Sequence, residues 1–212
     1  MLTKEVKQNQ QMNNQQEKQL ENRQIDVSTL EVRATGNNDY ILEGYINKFN
    51  NRSYWLGAFY EEVQKGAFDR TLSDGHNIYA LKNHDDELRL GSTHSGSLQL
   101  FADDVGLRFS LKINPEISYA KDVYHLVKDG LLENCSFGFY CIQDEIVRLT
   151  DGTDLRYLQE IELVEVTLTN KPAYQSSQVA CRSYDEFKAK ELKKKQDELK
   201  RKRLKLKLKY FN

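Results

Sequence analysis

Residues 132–149 read LENCSFGFYCIQDEIVRL, and residues 156–170 read RYLQEIELVEVTLTN. The two stretches predict two consecutive strands. Side chains alternate between the faces of a strand, so Ser136 and Gly138 share one face while Phe137 and Phe139 share the other. A small hydroxyl beside a glycine leaves room for a second backbone to approach. This pair of strands is the centre from which the remaining chain can be interpreted.

The chain on either side of this pair predicts further strands and two helices. Alternating apolar and polar residues predict strands at 27–35, 40–49, 77–84, 96–103 and 106–113. Residues 61–72 (EEVQKGAFDRTL) have a more helical pattern. Residues 115–132 predict the best helix of the core, with Pro115 in its first turn and Gly130 at its end. Many short strands with few helices predict an α+β fold: a small, mainly antiparallel β-barrel with helical cover.

Composition divides the chain into three parts. Residues 1–26 are dominated by Gln, Asn, Lys and Glu, which favours disorder. Residues 27–183 have the texture of one globular domain. Residues 184–212 hold ten Lys and two Arg against five acidic residues and predict a charged helical tail. The net charge of -1 therefore hides a basic tail and an acidic remainder.

Several function classes are disfavoured by composition. The chain shows no signal peptide and no run near the roughly 20 apolar residues of a membrane span, so we expect a soluble protein with no membrane partner. Three cysteines without a CxxC pair favour a reducing compartment and predict no metal site. The lysines of the tail lack interleaved aromatics, so nucleic acid is not the expected partner. No cofactor motif is present.

Ser136 and His84 are candidates for chemistry. His84 follows a predicted strand in LKNHDDELRLGST (81–93) and supplies the residue type that serves as a base for a serine hydroxyl near neutral pH. Taken singly, each residue is equally compatible with a structural role, because a serine hydroxyl is a poor nucleophile without an adjacent base.

Glu165 is the candidate for a third residue. Strand alternation places it on one face with Ile161 and Leu163, where a carboxylate must meet a cation or hydrogen-bond donors. A histidine is one such partner and an arginine is another. Glu162, on the opposite face, is the neighbouring alternative.

Six ordered segments together resemble the prohead, or head-maturation, serine proteases of tailed bacteriophages. The segments are EGYINKFN (43–50), EEVQKGAFDRTL (61–72), LKNHDDELRLGST (81–93), DDVGLRFSLKI (103–113), LVKDGLLENCSFGF (126–139) and IELVEVTLTNKPAY (161–174). The resemblance covers residues 27–183 and implies a fold similar to the herpesvirus assemblins. It implies that His84 and Ser136 are catalytic and that Glu165 is the third member. Because assemblins use a second histidine, His125 and His94 are further alternatives.

The resemblance also implies substrates and a place of action. It predicts an endopeptidase that cleaves scaffold protein, the N-terminal segment of the major capsid protein, or both, inside the procapsid in the host cytoplasm. Self-association and self-cleavage are further expectations. A catalytically idle assembly module with the same fold is the alternative function, and Cys135 is the alternative nucleophile. The cysteine is expected to be a buried apolar thiol, since it alternates with Ser136.

Overall fold

A computed structural model describes residues 20–25, 30–35, 39–169 and 181–210. These parts contain ten strands and three helices. The strands are β1 (Glu21–Ile25), β2 (Leu30–Thr35), β3 (Asp39–Lys48), β4 (Tyr60–Val63), β5 (Tyr79–Lys82), β6 (Asp85–Ser92), β7 (Leu98–Ala102), β8 (Gly106–Lys112), β9 (Asn134–Arg148) and β10 (Asp154–Thr169). The helices are α1 (Asp69–Ser73), α2 (Ser118–Lys128) and α3 (Cys181–Tyr210).

The strands form two sheets that share one apolar core. The larger sheet has the order β1-β9-β10-β5-β6, and β4 also pairs with β10. The smaller sheet has the order β2-β3-β8-β7. Pairing is antiparallel except where β4 and β5 run parallel to β10. Phe109 of the smaller sheet, Phe137 of the larger sheet and Val123 of α2 are all buried in the common core. The α+β class is confirmed, with the hydrogen bonding divided between two sheets.

Strands β9 and β10 form a long hairpin, and its register is broken by bulges. One register shift lies between Leu163 and Glu165. An extra residue reverses the face on which the following side chains lie. Glu165 therefore pairs with Gly138 and shares the face of Ser136, while Leu163 pairs with Phe139 on the core side. The prediction that Glu165 shares a face with Leu163 was wrong, because alternation was counted through the bulge.

Two further predictions of local structure need correction. Residues 60–63 form β4 and not a helix, because this segment pairs alongside β10 and places Glu61 next to Arg156. Residues 21–25, assigned by composition to a disordered segment, form β1 on the edge of β9. Glu21 and Arg23 form ion pairs inside the protein, a source of order that average composition does not reveal. Residues 1–19 lie outside the described residues.

Residues 184–210 of the basic tail belong to α3, whose first turns contact the end of the β9–β10 hairpin. Lys188 Nζ lies 2.9 Å from Asp154 Oδ2, and Arg148 Nη2 lies 2.9 Å from Glu191 Oε2. The ring of Tyr184 packs 5.4 Å from that of Phe59. None of the helices in the described ranges has the length and apolar character required to cross a membrane.

Candidate active site

His84 lies in a tight turn between β5 and β6. Asn83 and His84 have φ angles of 55° and 59°, so two consecutive non-glycine residues adopt the left-handed conformation. Two-residue hairpin turns of type I′ require this conformation at both positions, and the second position usually holds glycine. The turn is fixed against β10, since Asn83 N donates to Leu168 O at 3.1 Å and His84 N donates to Thr167 Oγ1 at 3.3 Å.

The imidazole of His84 is oriented by a carboxylate on the neighbouring strand. His84 Nδ1 lies 2.6 Å from Glu165 Oε1. The side chain of Glu165 is 6% exposed, and that of His84 is 24% exposed. Thr167 Oγ1 donates to the second oxygen, Glu165 Oε2, at 2.6 Å. Because both carboxylate oxygens have partners, the buried Glu165 is satisfied and holds Nδ1 as a donor, which leaves Nε2 for chemistry.

Ser136 lies on the same face of the sheet as Glu165 and Thr167. On β9 it pairs directly with Thr167 of β10, two residues along the strand from Glu165. Ser136 has no solvent-exposed surface. The hydroxyl donates to the backbone oxygen of Arg23 at 2.7 Å, and its hydrogen bond therefore goes to β1 and not to the imidazole of His84.

Gly138 provides the space in which this arrangement fits. A Cβ atom at position 138 would lie 2.6 Å from Glu165 Oε1 and 2.8 Å from Asn22 Oδ1. Contacts this short require a neighbour to move. The sequence suggested that glycine leaves room for an approaching backbone, and the structure shows that it leaves room for the carboxylate that binds His84.

Comparison with known proteins places the chain in a family. Residues 28–190 match the model of the caudovirus prohead serine proteases. The chain belongs to this family. The resemblance stated from the sequence is thereby confirmed.

Two individual proteins show the same relationship. The prohead protease of Escherichia phage T5 is 29% identical over 101 residues, which cover 48% of this chain and 44% of the T5 protein. The match thus spans less than half the length of that relative. The solved structure of the bacteriophage T4 capsid assembly protease, gp21, superimposes with a TM-score of 0.52 at 7% identity, over 72% of this chain and 98% of the T4 chain. At this identity the second comparison shows a shared fold alone.

The alternative third residues lie in other surroundings. His125 of α2 packs against aromatic rings, with its ring centre 5.6 Å from that of Tyr124. His94 Nε2 contacts the backbone oxygen of Gly75 at 2.9 Å. Glu162 shares the face of Ser136, but its Oε2 lies 3.9 Å from Arg70 Nη2. Glu165 is the candidate for which the structure shows a hydrogen bond to His84.

Cys135 has the character expected of a core residue. It is fully buried, and burial raises the pKa of its thiol to about 12. The thiolate is the nucleophilic form of cysteine, so this environment opposes a catalytic role. Within the described ranges, the structure contains no cluster of three His, Cys, Asp or Glu side chains suited to a metal ion.

Sequence reasoning missed two participants in the site. Thr167 was not among the candidate residues, although its hydroxyl links Glu165 to the turn that carries His84. Its position two residues after the acid was the available signal, since alternate residues of a strand share a face. The second is β1, whose contact with Ser136 depends on a pairing between residues 113 positions apart.

Proposed function

We propose that this chain is a serine endopeptidase with Ser136 as nucleophile, His84 as general base and Glu165 as the residue that orients His84. The observation that carries the proposal is the 2.6 Å contact between His84 Nδ1 and Glu165 Oε1, on the sheet face that also holds Ser136. An imidazole fixed by a buried acid beside a serine is the arrangement that acyl transfer to serine needs.

The reaction proceeds in two halves. Ser136 Oγ attacks the carbonyl carbon of the scissile peptide while His84 Nε2 takes its proton. The C–N bond then breaks, and His84 Nε2 gives this proton to the leaving amine. Water hydrolyses the acyl-serine ester by the same sequence of proton transfers. Glu165 accepts the hydrogen bond from Nδ1 throughout and stabilises the imidazolium that forms in each half.

The substrates follow from the family to which the chain belongs. We propose that it cleaves scaffold protein, the N-terminal segment of the major capsid protein, or both, within the procapsid in the host cytoplasm. In this account residues 27–183 are the protease domain, with an assemblin-like arrangement of strands, and residues 184–212 are an appended basic tail. Self-association and cleavage of its own flanking segments are part of the same proposal.

Labelling with a fluorophosphonate tests the assignment of Ser136. We expect covalent labelling of Ser136 in the wild-type chain and none in Ser136→Ala. Ser110→Ala, a substitution on strand β8 of the other sheet, is the matched control and should label as the wild type does. His84→Ala should label at least about 100-fold more slowly, since it removes the base. Labelling of another residue, or no labelling of Ser136 once the segment that covers it is displaced, would refute the assignment.

The burial of Ser136 favours a second candidate, an idle assembly module. A nucleophile with no exposed surface reacts with nothing until the covering segment moves. An idle module predicts that Ser136 stays unlabelled even when capsid or scaffold protein is present and bound. The enzyme predicts labelling once the covering segment is displaced, which makes the identity of that segment important.

A further inference from the structure

The segment that covers Ser136 is β1, and it lies where an extended peptide would pair with the nucleophile strand. Among the described strands it lies at the sheet edge and pairs only with β9, in antiparallel register, with Gln24 opposite Ser136 and Asn22 opposite Gly138. The Arg23 backbone oxygen is 2.7 Å from Ser136 Oγ. Edge strands can be exchanged for other extended peptides, because the backbone hydrogen bonds are the same for any sequence. Strand β1 also precedes residue 28, where the match to the protease family begins.

Strand β1 is held by a buried group of four charged side chains. Arg23 Nε donates to Glu61 Oε1 at 2.6 Å, and its guanidinium also pairs with Glu21. Arg156 Nη1 donates to Glu21 Oε2 at 2.8 Å and to Glu61 Oε2 at 3.0 Å. Each of the four residues is at most 3% exposed. The four charges cancel, and their hydrogen bonds to one another offset part of the penalty for burying them.

The surroundings of Arg23 show that its positive charge is stabilised inside the protein. Burial by itself opposes the charged form of Arg23, but the carboxylates of Glu61 and Glu21 outweigh it and raise the pKa of Arg23. The guanidinium of Arg23 also lies over the ring of Phe139, 5.5 Å from its centre. The core therefore places a carboxylate, a guanidinium and an aromatic ring against Glu21 and Arg23, which are alternate residues of β1.

We propose that the edge of β9 is the peptide-binding site and that β1 occupies it as an internal substrate mimic. In this proposal Glu61 and Arg156 select peptides that have an acidic residue two positions before a basic one. The inference rests on the proposed protease function. Glu61 and Arg156 belong to β4 and β10 and stay in place when β1 leaves. Arg156 keeps Asp144 as a partner at 2.5 Å, so the empty site remains charge-compensated on one side.

Peptide binding tests the proposal without requiring catalysis. The probes are a fluorescein-labelled hexapeptide with the sequence of residues 20–25, LENRQI, and its charge-exchanged form LRNEQI. The protein is the full chain with Ser136→Ala, Glu21→Gln and Arg23→Gln, which weakens β1 without cutting the probe. Fluorescence anisotropy should show that LENRQI binds this chain about tenfold more tightly than it binds the chain with Ser136→Ala alone. LRNEQI should bind the triple variant about tenfold more weakly than LENRQI.

A matched control removes the same two charges elsewhere. Lys65→Gln with Asp104→Asn, in the Ser136→Ala background, neutralises an exposed ion pair whose atoms lie 2.5 Å apart. This control should bind LENRQI no better than the Ser136→Ala chain does. Equal affinity of the triple variant for the two peptides, or equal affinity of LENRQI for all chains, would overturn the proposal. If the triple variant does not fold, Glu21→Gln with Ser136→Ala carries the same comparison.

The failure of this inference and the failure of the proposed function give different results. With Ser136 restored, Glu21→Gln/Arg23→Gln should label with fluorophosphonate about tenfold faster than the wild type, because Ser136 is uncovered. Selective binding of LENRQI without any labelling keeps the binding site and refutes the protease. Labelling at the wild-type rate without selective peptide binding keeps the protease and refutes the role of β1.

Discussion

At the scale of single residues, His84 occupies a backbone conformation that glycine would adopt at lower cost. The left-handed region costs a residue with a Cβ atom roughly 1–2 kcal/mol, and His84 has a φ of 59°. This strained turn directs the imidazole at Glu165. Strain of this kind persists where the surrounding structure determines it and is concentrated at functional sites.

Paired substitutions at position 84 measure this strain. Both His84→Gly and His84→Ala lose the imidazole and should lose hydrolysis. The glycine variant should be more stable than the alanine variant by about 1 kcal/mol, because only alanine retains the left-handed penalty. Urea denaturation of the two variants gives this difference directly. Equal stabilities would show that the turn is not strained.

Substitution of Gly138 tests the fit of the carboxylate. Gly138→Ala places a Cβ atom 2.6 Å from Glu165 Oε1, so Glu165 must move away from its position at His84. We expect a loss of about 1–3 kcal/mol in the free energy of unfolding from the overpacking, together with a large loss of kcat. Urea denaturation and peptide hydrolysis check the two effects. A variant with wild-type kcat would contradict the role given to the 2.6 Å contact.

At the scale of secondary-structure elements, the bulge in β10 is the feature that forms the site. It turns Glu165 from the core toward Ser136, and a second histidine supports the strand at the same point. His76 Nε2 lies 2.6 Å from the backbone oxygen of Leu163, and its Nδ1 lies 2.5 Å from Asp74 Oδ1. The segment before β5 is thereby attached to the strand that carries Glu165.

His76 should make stability depend on pH. Burial by itself lowers the pKa of His76, but the Leu163 carbonyl and the carboxylates of Asp74 and Glu162 outweigh it and raise the pKa above 6.5. A raised folded-state pKa stabilises the protein at pH values below the pKa of the unfolded state. This stabilisation is lost as pH rises through the pKa of the folded state. The stability lost in His76→Gln should therefore be larger at pH 5.5 than at pH 8.5, by urea denaturation.

Asp74 provides the check on this interpretation. Asp74→Asn removes the carboxylate in direct contact with His76 Nδ1 and should reduce the pH dependence seen in the wild type. A difference between wild type and His76→Gln that is constant with pH would exclude His76 as the source.

Helix α3 contacts the domain at Asp154, which is 2% exposed and pairs with Lys188. Burial raises the pKa of Asp154, but Arg148 and Lys188 outweigh it and lower the pKa below 3.8. Asp154 therefore stabilises the attachment of α3 fully at pH values above its ordinary pKa. This stabilisation is lost as pH falls through the pKa of Asp154 in the folded state. Asp154→Asn should increase hydrogen exchange at residues 184–191. Glu191→Gln, which removes an exposed pair worth at most about 1 kcal/mol, is the control and should change exchange little.

At the scale of the whole molecule, local pattern predicted some features and could not predict others. Alternation located β9 and β10, and the family resemblance identified His84 and Glu165, which the structure brings into contact. Alternation failed at the bulge, because one inserted residue leaves no mark on a hydrophobic pattern. It also failed for β1, since Glu21 and Arg23 are buried by ion pairing with distant residues and not by apolar character.

Mass spectrometry of capsid and scaffold proteins, co-expressed with this chain, tests the central claim most directly. The claim is that Ser136, activated by His84 and Glu165, cuts proteins of the assembling capsid. Co-expression with the wild-type chain or with Ser110→Ala should yield truncated capsid or scaffold protein with defined new termini. Co-expression with Ser136→Ala should yield only full-length proteins. Identical truncation with Ser136→Ala would contradict the account.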